Sequence, residues 1–279
     1  MQYGPRQSLR RDKSAVSPAI STVILTAAVV VMILVAMTFA NSFLDSRMAE
    51  NEFNTNKQFM LTTGLQMDDI AWTIGRTQTV RYSSKYGNMR FESATLNYTF
   101  KVDGQVLFSN VTGMILFNIP VSTYTISNNY FERISPASNG SFLQRGTSVP
   151  VSHVFCVEKL PMSDGNYTRI VVVPSIRMLD STITGPSSTT YYFKFYLPTL
   201  EPGVHRYLSQ SITLTGDSIT KIVKSGVSQV EITVDFLDAG LGFDSDFFKF
   251  ERLSETVNLP PGSVVEFYIG KVRVTLGHV

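Results

Sequence analysis

Between residues 14 and 44 the chain contains no Asp, Glu, Lys, Arg or His. A bilayer core of about 30 Å is crossed by roughly 20 helical residues, and the uncharged, mostly apolar run over residues 19–40 is long enough to do so. The Ser and Thr hydroxyls inside that run bond to carbonyls of the preceding turn, which keeps them tolerable in lipid. Ser17-Pro18 makes a natural start, with Ser as N-cap and Pro in the first helical position. The apolar part of a secretory signal covers about 7–15 residues. This longer run is therefore expected to remain in the finished molecule as a transmembrane helix. Arg6, Arg10, Arg11 and Lys13 crowd before it against one acid, Asp12. That asymmetry holds a short N-terminus in the cytoplasm and sends the remainder outside. The expected location is the cell membrane, crossed once.

Beyond Leu44 the apolar positions thin to a stripe. Phe39, Phe43, Ser46, Ala49, Phe53, Asn56, Met60, Thr63, Met67, Ile70 and Ile74 step by three or four, the spacing of one helical face. Asp45, Arg47, Glu50, Asn54, Lys57 and Asp68 occupy the other face. A helix running from Pro18 to about Ile74 would be roughly 85 Å long. Gly64 is its candidate bend. The alternative is a separate amphipathic helix after a loop near residues 41–45. Trp72 is expected to pack between stem and head.

From about Gly87 the texture becomes that of strands. Residues 93–110 read as a hairpin around Asp103-Gly104. Residues 153–160 and 167–173 flank Asp164-Gly165 in the same way. Residues 228–236 and 269–276 alternate polar and apolar, which predicts strands with one wet and one buried face. Many short strands predict an antiparallel sandwich, whole or divided near Pro186 or Pro202. No internal repeat is visible. The fold class expected is α+β: a long N-terminal transmembrane and stem helix, then an all-β, antiparallel sandwich-like extracellular head. The divisions are a basic leader over 1–14, the transmembrane helix and stem over 15–80, and the head over 81–279.

With 43% hydrophobic residues the chain can bury a core, and a net charge of +2 makes no case for a nucleic-acid surface. The single cysteine, Cys156, lies in the apolar run Val154-Phe155-Cys156-Val157 and reads as a small core residue. His153, His205 and His278 are far apart, with no neighbours at metal-ligand spacing. No phosphate-binding loop, dinucleotide fingerprint or nucleophile elbow occurs. Asp235, Asp238, Asp244 and Asp246 form the one acidic cluster; without the calcium-loop pattern it reads as a solvated loop. The aromatic run at residues 191–196 reads as a strand with Tyr and Phe on both faces. No cofactor, metal or catalytic residue is expected, and the chain reads as non-enzymatic. Asn97, Asn110, Asn139 and Asn166 each begin an N-x-S/T triplet, so all four are candidate N-glycosylation acceptors on the side assigned to the exterior.

Residues 13–25, Lys-Ser-Ala-Val-Ser-Pro-Ala-Ile-Ser-Thr-Val-Ile-Leu, resemble the N-terminus of archaeal type IV pilins and pilin-like proteins. The resemblance covers about the first 30 residues. It implies a class III signal peptide, cut by a prepilin-type peptidase between Ser14 and Ala15 on the cytoplasmic side, with the helix retained. It also implies filament assembly or adhesion, through contacts between the N-terminal helices of pilin-like subunits. Ala19 stands where bacterial pilins carry Glu, as is common among archaeal relatives. The large head suits a minor pilin or a solitary anchored protein. The alternative function is a monomeric bitopic surface protein whose head binds an extracellular ligand or the surface layer.

Overall fold

The computed structural model describes residues 16–82, 85–184, 189–205 and 209–277, with side chains from Ile20 onward. Ser14, Ala15, Pro186 and His278 lie outside those residues. Helix α1, Val16–Ala71, is continuous through residues 41–45, where a loop was the alternative. It ends at Ala71, short of Ile74, which is exposed. By contacts the chain forms two compact units, Met1–Met48 and Ala49–Val279.

In the second unit, residues 49–71 of α1 are joined by eleven strands in one sheet. They are β1 (Thr77–Arg81), β2 (Asn88–Val102), β3 (Gln105–Pro120), β4 (Tyr130–Ser135), β5 (Leu143–Arg145), β6 (Ser152–Glu158), β7 (Tyr167–Pro174), β8 (Ile176–Thr184), β9 (Thr189–His205), β10 (Ser211–Phe236) and β11 (Ser254–Gly277). A one-turn helix, α2 (Ser245–Phe248), precedes β11. The spatial order is β4-β6-β7-β3-β2-β10-β11-β9-β8-β5, with β1 beside β10. Pairing is antiparallel except for β9 with β11 and β5 with β8. The fold is α+β.

The sheet curls so that its two ends face each other. Phe100 of β2 meets Phe267 of β11 edge to face at 5.5 Å and Phe195 of β9 at 6.4 Å. Leu96, Tyr98, Leu116, Val171, Leu197, Ile232 and Val265 fill this sandwich-like core with them, closed by Phe243, Phe247 and Phe248 around α2.

The opposite face of β3, β6 and β7 is not wet. Ile115, Phe117, Val154, Cys156, Ile170 and Val172 form a second core with Phe53, Met60, Met67 and Ile70 of α1. Met114 and Leu116 serve the first core while Ile115 and Phe117 serve the second. Strands buried on both faces read as continuous apolar runs, and for that reason alternation fails in β3, β6 and β7. Every stripe position from Ala49 to Ile70 is buried, including Asn56 and Thr63. Their side chains donate to the carbonyls of Glu52 (3.0 Å) and Phe59 (3.0 Å), so these donors are paired inside the helix.

Helix α1 is unbroken at Gly64, where it touches the sheet. A Cβ there would lie 2.7 Å from Val154 Cγ2 and 2.9 Å from Ser152 Oγ. The Ser152 hydroxyl donates to the Gly64 carbonyl at 2.8 Å.

The strands are longer than the punctuation of the sequence suggests. The alternating residues 228–236 and 269–276 are parts of β10 and β11, which hold 26 and 24 residues. Gly216 and Gly226 sit at register shifts rather than strand ends, and residues 259–262, Leu-Pro-Pro-Gly, fall out of the ladder opposite Ser228. Pro198 and Pro202 lie inside β9, beyond the reach of β8, where the strand pairs only with β11 and a missing N–H costs no ladder bond. The Asp103-Gly104 turn is as expected, both residues having positive φ (48° and 80°).

Gly64→Val should lower the stability of the full-length protein in detergent by about 1–3 kcal/mol through overpacking. Gly240→Ala, with no atom within 4 Å of its added Cβ, should change it by less than about 0.5 kcal/mol. Denaturant titration followed by Trp72 fluorescence measures both, since Trp72 meets Tyr196 edge to face at 5.1 Å.

Candidate functional site

The described residues of the first unit present a bare apolar helix surface. Val23, Leu25, Met32, Val35 and Phe39 are 64–75% exposed. Thr26 and Thr38 donate to the carbonyls of Thr22 (2.8 Å) and Leu34 (2.9 Å), so their hydroxyls make no demand on solvent. Among the described residues this is one helix long and apolar enough to cross a membrane. Along the described part of α1 charge first appears at Asp45, and Arg47 lies over the Phe43 ring at 5.2 Å.

In the second unit the helix is fixed to the strands by ions as well as by packing. The buried Glu52 carboxylate accepts from three successive backbone N–H groups, those of Lys85, Tyr86 and Gly87, at 2.9–3.1 Å. Lys57 reaches Glu132 of β4 at 2.6 Å. Asp68 accepts from Trp72 Nε1 (2.7 Å) and from Arg177 of β8 (2.6 Å). None of these partners was evident from spacing, because each pair is 33 or more residues apart except Asp68 with Trp72.

Other candidates take structural positions. His153 is buried beside Phe250 and donates from Nε2 to the Ser141 carbonyl at 3.0 Å, a partner that can only accept. Burial pushes its pKa down to about 4, with the Ser141 contact opposing, so it is neutral at ordinary pH. His205 stacks on Phe91 at 5.3 Å, and burial lowers its pKa too. The two histidines are not brought together with a serine hydroxyl by any hydrogen bond seen among the described residues. Cys156 is buried in the helix-side core, where desolvation pushes the thiol up to about 12.

Of the acidic cluster, Asp244 has a structural role. Asp244 caps α2 by accepting from the N–H groups of Asp246 and Phe247, and pairs with Lys159 at 2.6 Å. Desolvation opposes ionisation of Asp244, but Lys159 and the capping bonds outweigh it and hold the pKa below the usual range. No group of three or more His, Cys, Asp or Glu that could hold a metal occurs among the described residues. The aromatic run divides by face: Phe195 enters the sandwich core, while Tyr196 stacks on Tyr268 at 4.9 Å.

The sequence reading missed the buried ions. Arg169 is fully buried and forks onto Asp164 at 2.7 and 2.8 Å, with the Gly165 carbonyl at 3.0 Å. Glu158, also fully buried, accepts from the Thr125 hydroxyl, the Ile126 N–H and the Thr168 hydroxyl. A charged residue inside an apolar strand was the available signal, since such residues are rarely buried without a partner.

The four sequons lie in different settings. Asn166 is exposed just before β7, Asn97 and Asn110 are half-buried in the β2–β3 hairpin, and Asn139 is half-buried and hydrogen-bonded. Comparison with protein-family models, curated proteins and solved structures yields no match for this chain.

Two stability effects follow. Below its unfolded pKa near 6.5, His153 takes up a proton in the unfolded chain but not in the native one until about pH 4. Stability should therefore fall between pH 6.5 and pH 4 by on the order of 3 kcal/mol from this residue. His153→Gln should flatten that part of the profile in denaturant titrations. Arg169→Met should cost about 3 kcal/mol by leaving the nearly buried Asp164 with Arg90 alone at 3.3 Å, and adding Asp164→Leu should restore part of the loss in the same assay.

Proposed function

We propose that this chain is a non-enzymatic, membrane-anchored, pilin-like surface protein serving filament assembly or adhesion, its head outside the cell. The observation that carries this reading is the bare apolar surface over residues 20–44, in a helix with no charged side chain until Asp45. Water would oppose so large an apolar surface, whereas lipid or the like helices of other subunits would accept it. Exchange between lipid and a helix bundle replaces one apolar environment with another, so the same surface suits storage in the membrane and assembly into a filament. The basic residues before the helix support a cytoplasmic N-terminus. Lys13-Ser14-Ala15 supports processing by a prepilin-type peptidase, which would remove the cations that pin that end.

The protein should resist alkaline carbonate extraction of membranes, and its intact mass should correspond to a chain beginning at Ala15. Val30→Arg, which places a charge in the middle of the apolar run at a cost of about 2.5–3.5 kcal/mol, should increase the fraction released by carbonate. Release of the wild-type polypeptide would defeat the membrane reading. An anchored chain that keeps Met1 to Ser14 would defeat pilin processing and favour a solitary bitopic surface protein.

A further inference from the structure

The N-x-S/T pattern demands a hydroxyl at its third position, so a transferase that reads it must reach that hydroxyl as well as the asparagine amide. In the folded chain all four hydroxyls are engaged. Thr168 is fully buried and lies within hydrogen-bonding distance of Glu158 Oε2 (2.6 Å) and the Tyr124 carbonyl (3.0 Å). Thr112 is fully buried and accepts from the Leu200 N–H at 2.9 Å. Ser141 accepts from the Leu143 N–H and lies 3.1 Å from Glu255 Oε1. Thr99 sits in a strand paired on both sides, its hydroxyl 3.1 Å from that of Ser109.

The asparagines differ more sharply. Asn166 is exposed and directly precedes β7, so a large substituent on its Nδ2 can leave toward solvent without disturbing the core. Asn139 instead uses both ends of its amide inside the fold. Nδ2 donates to Oε1 of the buried Gln144 at 3.0 Å, and Oδ1 accepts from the Ser141 N–H at 2.9 Å.

We propose that Asn166 is a glycan acceptor, modified while residues 166–168 are still unfolded, and that folding then closes the triplet around Thr168. A glycan placed on Asn139 before folding would crowd the half-buried site where its amide nitrogen meets Gln144 and hinder closure there, so the chains that complete the fold are bare at Asn139. The inference rests on the exported head proposed above. The donor is a lipid-phosphate-linked oligosaccharide. A bond forms between Asn166 Nδ2 and the sugar C1 as the C1–O bond to phosphate breaks. The lipid phosphate leaves with the electron pair, Nδ2 gives up one proton to solvent, and nothing is oxidised or reduced.

The test uses full-length protein made without glycosylation and held in detergent, an N-x-S/T transferase, and a lipid-linked oligosaccharide. Peptide mass mapping reads occupancy. Folded wild type is compared with full-length Val172→Asp, which puts a charge at a fully buried strand position. Asn166 occupancy should be about tenfold or more higher on the unfolded variant, because the folded triplet is accessible only on opening. Equal occupancy would overturn the order of events. If Val172→Asp keeps a trypsin-resistant head, the same comparison is made on wild type with transferase present during synthesis or added after it. Protein from its own membrane should carry glycan at Asn166 and none at Asn139, and the reverse would overturn the assignment. A chain bare at every sequon, with its head shielded from external protease, sinks the exported location. A protease-accessible head that is bare at Asn166 sinks the acceptor alone.

Discussion

Packing of one helical face onto the back of β3, β6 and β7 governs the second unit. These strands carry large apolar side chains in both directions, so they need cover on both sides. The other end of the curled sheet covers one side, and residues 49–71 of α1 cover the other. Each large side chain taken from water contributes about 1.5–3 kcal/mol. Loss of Phe53, Met60, Met67 and Ile70 from this interface would expose the most apolar strands in the chain. The helix end is thus a core element of the β-rich unit rather than an external support for it.

Polar contacts define where that helix sits. Glu52 gathers three backbone N–H groups, Lys57 meets Glu132, and Asp68 joins Trp72 to Arg177. Apolar packing alone is nondirectional, and these contacts, spread over five turns of helix, select one axial position and one rotation. Gly64 reinforces the choice by admitting Val154 and Ser152 at a single point. Arg169 and Glu158 do the comparable task for the connections between strands, each bonded to several partners that offset the cost of a buried charge.

Much of this organisation was legible in the sequence. The charge-free run, the three-to-four stepping of the stripe and the Asp103-Gly104 turn depend on local rules that residue spacing exposes directly. Even the polar stripe members Asn56 and Thr63 proved buried, each donating to a carbonyl of its own helix. The doubly buried strands were less legible, because a continuous apolar run does not say what lies on either side. Gly216, Gly226 and Pro260-Pro261 interrupt the ladder without ending β10 and β11, since a neighbouring strand can carry the pairing past a bulge. Among the candidate sites, motif spacing found the sequons but could not show that Thr112 and Thr168 are enclosed. That enclosure depends on Leu200, Tyr124 and Glu158, contacts that no spacing rule reaches.

The position of Cys156 gives the molecule an internal clock. Its thiol belongs to the layer between helix and sheet, shielded and kept protonated by that layer. A thiolate is the reactive form, so alkylation requires that layer to open and admit water. With one cysteine in the chain, the rate at which an alkylating reagent consumes the thiol reports how often the interior around β6 opens.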